Sequence, residues 1–255
     1  MKIIECGNET NSPDAHADQS TKFLIYGHTG AGKTYALRTL PERYRPALLL
    51  DCDRGSSALW KEAGLGTAIQ FDIHDPITGE PKMYEQAIKF LQDIHAQKVE
   101  GITDEFPTIV VDSFTVMHQA ITAHVMWKSF KGSGAGKNRQ TMNEPPTLPE
   151  YGVITHLSQL FVQALIQLDR NLIMICHETG QVVDESGRAR GGPALTPKLA
   201  TTLPRYFDEV LYASATGRGD ARKYTWDTSS TGLFEARTRR PELPANIIQD
   251  FSIYA

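Results

Sequence analysis

The sequence predicts an α/β fold: a mostly parallel twisted sheet with helices on both faces and an antiparallel extension toward the C-terminus. Three observations carry this. Short, solidly apolar runs (KFLIY, ALLLD, PTIVVD, LIMIC) alternate with stretches whose apolar residues recur at helical spacing. Strands that are apolar on both faces belong to parallel sheets covered above and below. Polar motifs follow directly after these runs, at the strand ends where ligands of such sheets bind.

Taken in order, residues 1–20 are polar, with Asn, Ser, Asp and Gly, and read as a flexible arm ahead of one core domain over 21–255. KFLIY (22–26) is the first strand, and 33–40 is a helix stopped by Pro41. ALLLD (47–51) is a strand that runs into a short helix at GSSALWKEA. TAIQFDI (67–73) alternates as a strand, and Met83, Ala87, Ile88, Leu91 and Ile94 make a helix of 82–97. PTIVVD (107–112) is a buried strand followed by a helix over 114–130. Val153, Leu157, Leu160, Phe161, Ala164 and Leu168 form one face of a helix in 150–170, before the strand LIMIC (172–176). Residues 208–237 read as shorter strands with turns at GRGD and SSTG. Two segments, 131–150 and 177–194, read as long loops, which in a compact domain are functional or disordered.

Composition bounds the function classes. The chain has 255 residues, 40% hydrophobic and 22% charged, as in ordinary globular proteins. There is no long apolar run and no apolar signal core, so no membrane partner is expected and a cytoplasmic location is the default. Cys6, Cys52 and Cys176 are odd in number and widely spaced, which fits neither a disulfide framework nor a metal knuckle. At a net charge of −4, nucleic acid is bound through local basic patches or not at all.

GHTGAGKT, residues 27–34, sits between a strand and a helix. Glycines at 27, 30 and 32 let the backbone of Gly27, His28, Thr29, Gly30, Ala31 and Gly32 curl so that its N–H groups meet phosphate oxygens. Lys33 then reaches the β- and γ-phosphates, the Thr34 hydroxyl ligates Mg²⁺, and Tyr35 completes the nucleotide-binding stretch. The cofactors so predicted are ATP and Mg²⁺. Asp112, ending PTIVVD, holds the metal through water; the plain alternative is a cap on the next helix. Asp51 and Asp53 share one face of LLLDCDRG, where either can activate water, or both are solvated turn acids. His177 ends LIMICHE and can sense the γ-phosphate, or is an ordinary polar strand end.

Together these motifs resemble the RecA-type recombinase core, from about residue 22 to 244. The resemblance implies a RecA-like P-loop NTPase fold and places the catalytic base at Asp53, where that family has glutamate. It places the nucleotide sensor at His177, where RecA itself has Gln, and single-strand DNA loops at the two long segments, RARGGPAL closing the second. EARTRRPELP resembles the final strand whose basic residues reach the neighbouring subunit's ATP, making Arg237 and Arg239 the trans-acting pair. Set against that family, a trimmed core without RecA's long N-terminal arm and C-terminal domain is expected, and such a core looks like phage-encoded ATPases of the single-strand annealing type. The DNA contacts expected on this reading are Lys131, Lys137, Arg139, Arg188 and Arg190. Trp127 and Phe130 offer stackable rings beside them, unless they are core residues at a helix end. For Arg237, Arg239 and Arg240, charge that protects a sheet edge is the alternative. The partners implied are single-stranded DNA, further copies packed head to tail in a ring or filament, and a single-strand-binding protein. Two rivals share parts of the pattern: a hexameric motor or helicase loader, and a small-molecule or nucleotide kinase with a basic lid.

Overall fold

The computed structural model describes residues 20–96, 106–132, 134–135, 139–183 and 189–255. β1 (Lys22–Gly27), β2 (Ala47–Asp51), β3 (Gly66–Ile69), β4 (Thr108–Asp112), β5 (Asn171–Val183) and β7 (Glu209–Thr216) form a parallel sheet ordered β3-β2-β4-β5-β1-β7. β8 (Lys223–Asp227) and β9 (Asn246–Ile248) extend it antiparallel beyond β7, as the expected fold class requires. β6 (Ala189–Pro193) pairs antiparallel with the outer part of β5.

Side chains alternate across each strand, so β1 feeds two cores. Leu24 and Tyr26 join Leu48, Leu50 and Val111 under one helical layer. That layer holds α3 (Met83–His95), α4 (Phe114–Phe130), α5 (Leu148–Ile166) and α6 (Pro197–Thr202), through residues such as Leu91, Ile121, Phe161 and Leu199. Phe23 and Ile25 face the other way, with Leu49 and Val110, against α1 (Lys33–Ala36), α2 (Ser57–Glu62) and the C-terminal turn at Phe251 and Tyr254. Each such fully buried Leu or Phe contributes about 1.5–3 kcal/mol. The sheet is therefore covered on both faces.

Several elements differ from the sequence reading. The helix expected at 33–40 is only Lys33–Ala36, followed by a 3₁₀ turn at Leu37–Thr39 in which Leu40 N donates to Leu37 O. The strand expected at 67–73 stops at Ile69: its neighbour β2 ends at Asp51, and the Gln70 side chain donates to Asp51 at 2.8 Å. α5 begins at Leu148, because Thr147 and Glu150 close a capping box there. The largest correction concerns 177–194. Most of it is not a loop: β5 runs on to Val183 and pairs with β6 as a hairpin. Apolar LIMIC ends at Cys176 because the core ends there, while the backbone ladder continues without it. The arm expected at 1–20 lies, except for Ser20, outside the described residues.

Candidate functional site

The carboxyl ends of β1, β2 and β4 meet beside the middle of β5 because register aligns them. Gly27 stands opposite His177, and Asp51 opposite Asp112. The strand between the glycine-loop strand and the aspartate strand is β5, so His177 is interposed between loop and carboxylates. Gly27 must be glycine: a Cβ there would lie 2.1 Å from the carbonyl oxygen of Ala213 on β7.

Within the loop, His28, Thr29 and Gly30 are exposed, while Ala31 and Lys33 are buried. Gly32 adopts φ +86°, a left-handed conformation suited to glycine, and starts α1. The Lys33 ammonium folds back onto the loop, donating to Gly27 O at 2.7 Å and His28 O at 2.9 Å. Burial pushes its pKa below the usual lysine value, and Asp112 nearby works against that shift. Tyr35 is 60% exposed, with the Arg38 guanidinium 5.1 Å from its ring centre.

Asp112 is buried, and its carboxylate accepts from Thr34 Oγ1 at 2.7 Å and Ser56 Oγ at 2.5 Å. Burial raises its pKa, and those two hydroxyls oppose the rise. It does not cap the next helix. Ser113 does, accepting from Val116 N. A buried carboxylate beside a loop hydroxyl is a hard-oxygen set of the kind Mg²⁺ takes, so Thr34 and Asp112 fit the ion. The peptide bond between Asp112 and Ser113 is cis.

The two acids after β2 separate in role. Asp51 is fully buried and accepts from Ser57 N at 3.1 Å, Ser56 N at 3.3 Å and Gln70 Nε2, tying down the start of α2. Asp53 instead faces the site. Its Oδ1 accepts from Ser113 N at 3.0 Å and Ser113 Oγ at 2.9 Å, and its Oδ2 lies 3.2 Å from His177 Nε2. The amide of His177 in turn donates to Thr115 Oγ1 at 3.0 Å. Lys33, Thr34, Asp112, Asp53 and His177 are thus one connected constellation.

The remaining candidates scatter. Lys131, at the end of α4, sits 4.8 Å from the Trp127 ring centre and 5.7 Å from that of Phe130, a small basic and aromatic patch. Arg139 is a correction. Its side chain is 2% exposed and bonded to Glu150 at 2.7 Å, with further donations to the carbonyls of Glu144 and Pro145, so it is a strut inside the fold and not a free phosphate contact. Lys137 and Arg188 lie outside the described residues, while Arg190 stands in β6 opposite Val182. Arg237 and Arg239 lie by the amino end of β7, away from the chain's own phosphate loop. Arg237 spends its Nη2 on the carbonyls of Pro204 and Phe207, each at 2.7 Å, and Arg240 bonds Ile253 O. Arg239 has a side chain 74% exposed, paired with Asp208 at 3.0 Å.

Sequence reasoning missed Ser56, Ser113 and Thr115, which hold Asp112, Asp53 and His177 in place. Only the SS and DS doublets beside the acids hinted at them. Among the described residues no group of three or more His, Cys, Asp or Glu gathers to bind a metal, and no helix is long and apolar enough to cross a membrane. Burial pushes the Cys176 thiol up to about 12, so it is inert beside the site.

The AAA domain family model matches residues 19–240. No curated protein matches. Among solved structures, a KaiC-like protein from the hyperthermophilic archaeon Pyrococcus horikoshii OT3 is similar at 12% identity, over 88% of this chain and 81% of that one, with TM-score 0.44. The flagellar accessory protein FlaH from Methanocaldococcus jannaschii is similar at 12% identity, over 91% and 85%, with TM-score 0.40. The RadB recombinase is similar at 17% identity, over 87% and 83%, with TM-score 0.43.

Proposed function

The chain belongs to the AAA domain family of P-loop ATPases, and from that premise we propose that it is a Mg²⁺-dependent ATPase that binds single-stranded DNA and promotes annealing or homologous pairing. On this reading it is a trimmed RecA-like core of the type phages encode, working with further copies of itself and with a single-strand-binding protein. One observation carries it. β5 bears His177 at the reacting centre and runs on without a break into the β5–β6 hairpin.

The chemistry follows from the constellation. The loop 27–34 receives the triphosphate, and Lys33, now satisfied by loop carbonyls, exchanges those for β- and γ-phosphate oxygens. Thr34 and Asp112 would hold Mg²⁺, which neutralises charge that develops on the phosphates. In hydrolysis, a water oxygen bonds the γ-phosphorus, the bond to the β-phosphate bridge breaks, and the water's proton passes to Asp53. Ser113 orients that carboxylate by two hydrogen bonds, and His177 contacts its other oxygen. A change at Asp53 on nucleotide binding is thereby felt by His177 and by the hairpin attached to it. At the end of α4, Trp127, Phe130 and Lys131 supply rings and charge of the kind that tolerates any base.

The test is ATP turnover with and without a poly-dT oligonucleotide at low salt, with Lys33→Ala as control. Stimulation that vanishes in the variant supports the reading. Turnover indifferent to DNA, with no DNA binding, overturns it and leaves an ATPase with another partner.

A further inference from the structure

The phosphate loop is gripped from behind by residues that the reaction does not use. Arg222, just before β8, donates through Nη2 to Gly30 O at 2.8 Å, its guanidinium 5.2 Å from the ring centre of Tyr224. Gln249, just after β9, donates through Nε2 to Ala31 O at 2.8 Å, and also to Thr225 O at 3.0 Å and Ser214 O at 3.4 Å. Tyr224 and Gln249 together close on Gly32: a Cβ there would lie 2.7 Å from Tyr224 Cδ1 and 2.8 Å from Gln249 Oε1. Three successive loop residues therefore each meet the β8–β9 unit, at sequence separations of about two hundred residues.

Gln249 is the informative member. It is 8% exposed, and three carbonyl neighbours fix which end of its amide is nitrogen. That choice leaves Oε1 buried with no partner, against Gly32. A buried amide half satisfied in this way calls for an explanation beyond packing. Leu or Met would fill the volume without orphaning an acceptor. What they would not supply is the donation to Ala31 O, which ties the loop to the outer strands of the sheet.

We propose that Gln249 and Arg222 form a clamp that positions the phosphate loop and sets its affinity for nucleoside triphosphate. The inference rests on the ATP-binding reading but is independent of DNA. Gln249 is the buried half of the clamp and Arg222 the exposed half.

The experiment measures binding of a non-hydrolysable ATP analogue with Mg²⁺ to the full chain by calorimetry, together with amide hydrogen exchange of residues 27–34 without nucleotide. Gln249→Glu keeps the shape and replaces the donor with an acceptor, facing Ala31 O. Arg222→Ala removes the Gly30 contact at the surface and leaves the core intact, so it remains informative should the first variant fail to fold. Each change is expected to weaken binding about tenfold, the scale of one lost hydrogen bond, and to speed exchange in the loop ahead of the rest of the sheet. Folded variants that bind within about twofold of the parent, with unchanged loop exchange, overturn the clamp alone. A parent that binds no analogue overturns the ATPase reading and the clamp with it.

Discussion

At the end of β2, Asp51 turns to the amides of Ser56 and Ser57, while Asp53 turns to Ser113 and His177. Spacing alone put both on one face; the direction of the chain after Cys52 separates them. Arg54 follows with φ 58°, and its side chain is held by Phe71 O at 2.6 Å. Asp53→Asn is expected to lower ATP turnover by about 10²–10⁴-fold with nucleotide binding retained, as for loss of a general base. Asp51→Asn is expected instead to lower thermal stability. Steady-state turnover beside calorimetric binding separates the two. A second residue-scale prediction concerns acid. His118, bonded to Ser158 Oγ at 2.8 Å and accepting from Thr196 N, has its pKa pushed down to about 4 by burial. The unfolded chain then binds a proton, near a pKa of about 6.5, that the folded chain refuses. Stability from this group is complete above about pH 6.5 and is lost as pH falls toward 4. Denaturant titrations at pH 7 and pH 5 are expected to show the loss, and His118→Gln to show less of it.

Among the elements, α5 depends most on one side chain at its start. Glu150 closes the capping box with Thr147 and also takes both nitrogens of the Arg139 fork, at 3.1 and 2.7 Å, inside the protein. That guanidinium, with the cap, holds the Glu150 carboxyl down at about 2. Removing one partner of a buried pair strands the other, so Glu150→Gln is expected to cost about 3–5 kcal/mol in denaturant unfolding. The same pair explains why Arg139 misled the sequence reading. A basic residue in a polar, Pro-rich segment looks like a nucleic-acid contact until the acid eleven positions on is seen to claim it. The β5–β6 hairpin misled in the other direction, since backbone pairing leaves little trace in side-chain polarity. At β1, Gly27→Ala is expected to destabilise the sheet, because the new methyl would meet the backbone of β7 and not a movable side chain.

For the molecule as a whole, the phosphate loop and Arg239 mark opposite ends of β1 and β7. An exposed arginine that cannot reach its own site suits a neighbour's site in a head-to-tail assembly. Arg237 and Arg240 are held by backbone carbonyls of their own chain, so Arg239 is the member of the group to test. On the proposed head-to-tail assembly with Arg239 acting in trans, Arg239→Ala is expected to lack turnover, and mixing it with Lys33→Ala subunits to restore part of it, because one kind of junction would pair an intact loop with an intact arginine. Recovery absent at every ratio would assign Arg239 to the surface ion pair with Asp208.

The sequence by itself determined the parallel sheet, the phosphate loop and the place of Asp112 at the end of its strand, with Asp53 and His177 just past two further apolar runs. Apolar runs, glycine spacing and a following Lys-Thr are local chemistry, and local chemistry is written in consecutive residues. Tertiary structure alone decided which acid faces the site, that Arg139 is buried, that 177–194 is mostly a hairpin, and that Gln249 and Arg222 hold the loop. Those outcomes are settled by partners far away in the chain, and a residue's polarity does not record which distant carbonyl or carboxylate will meet it.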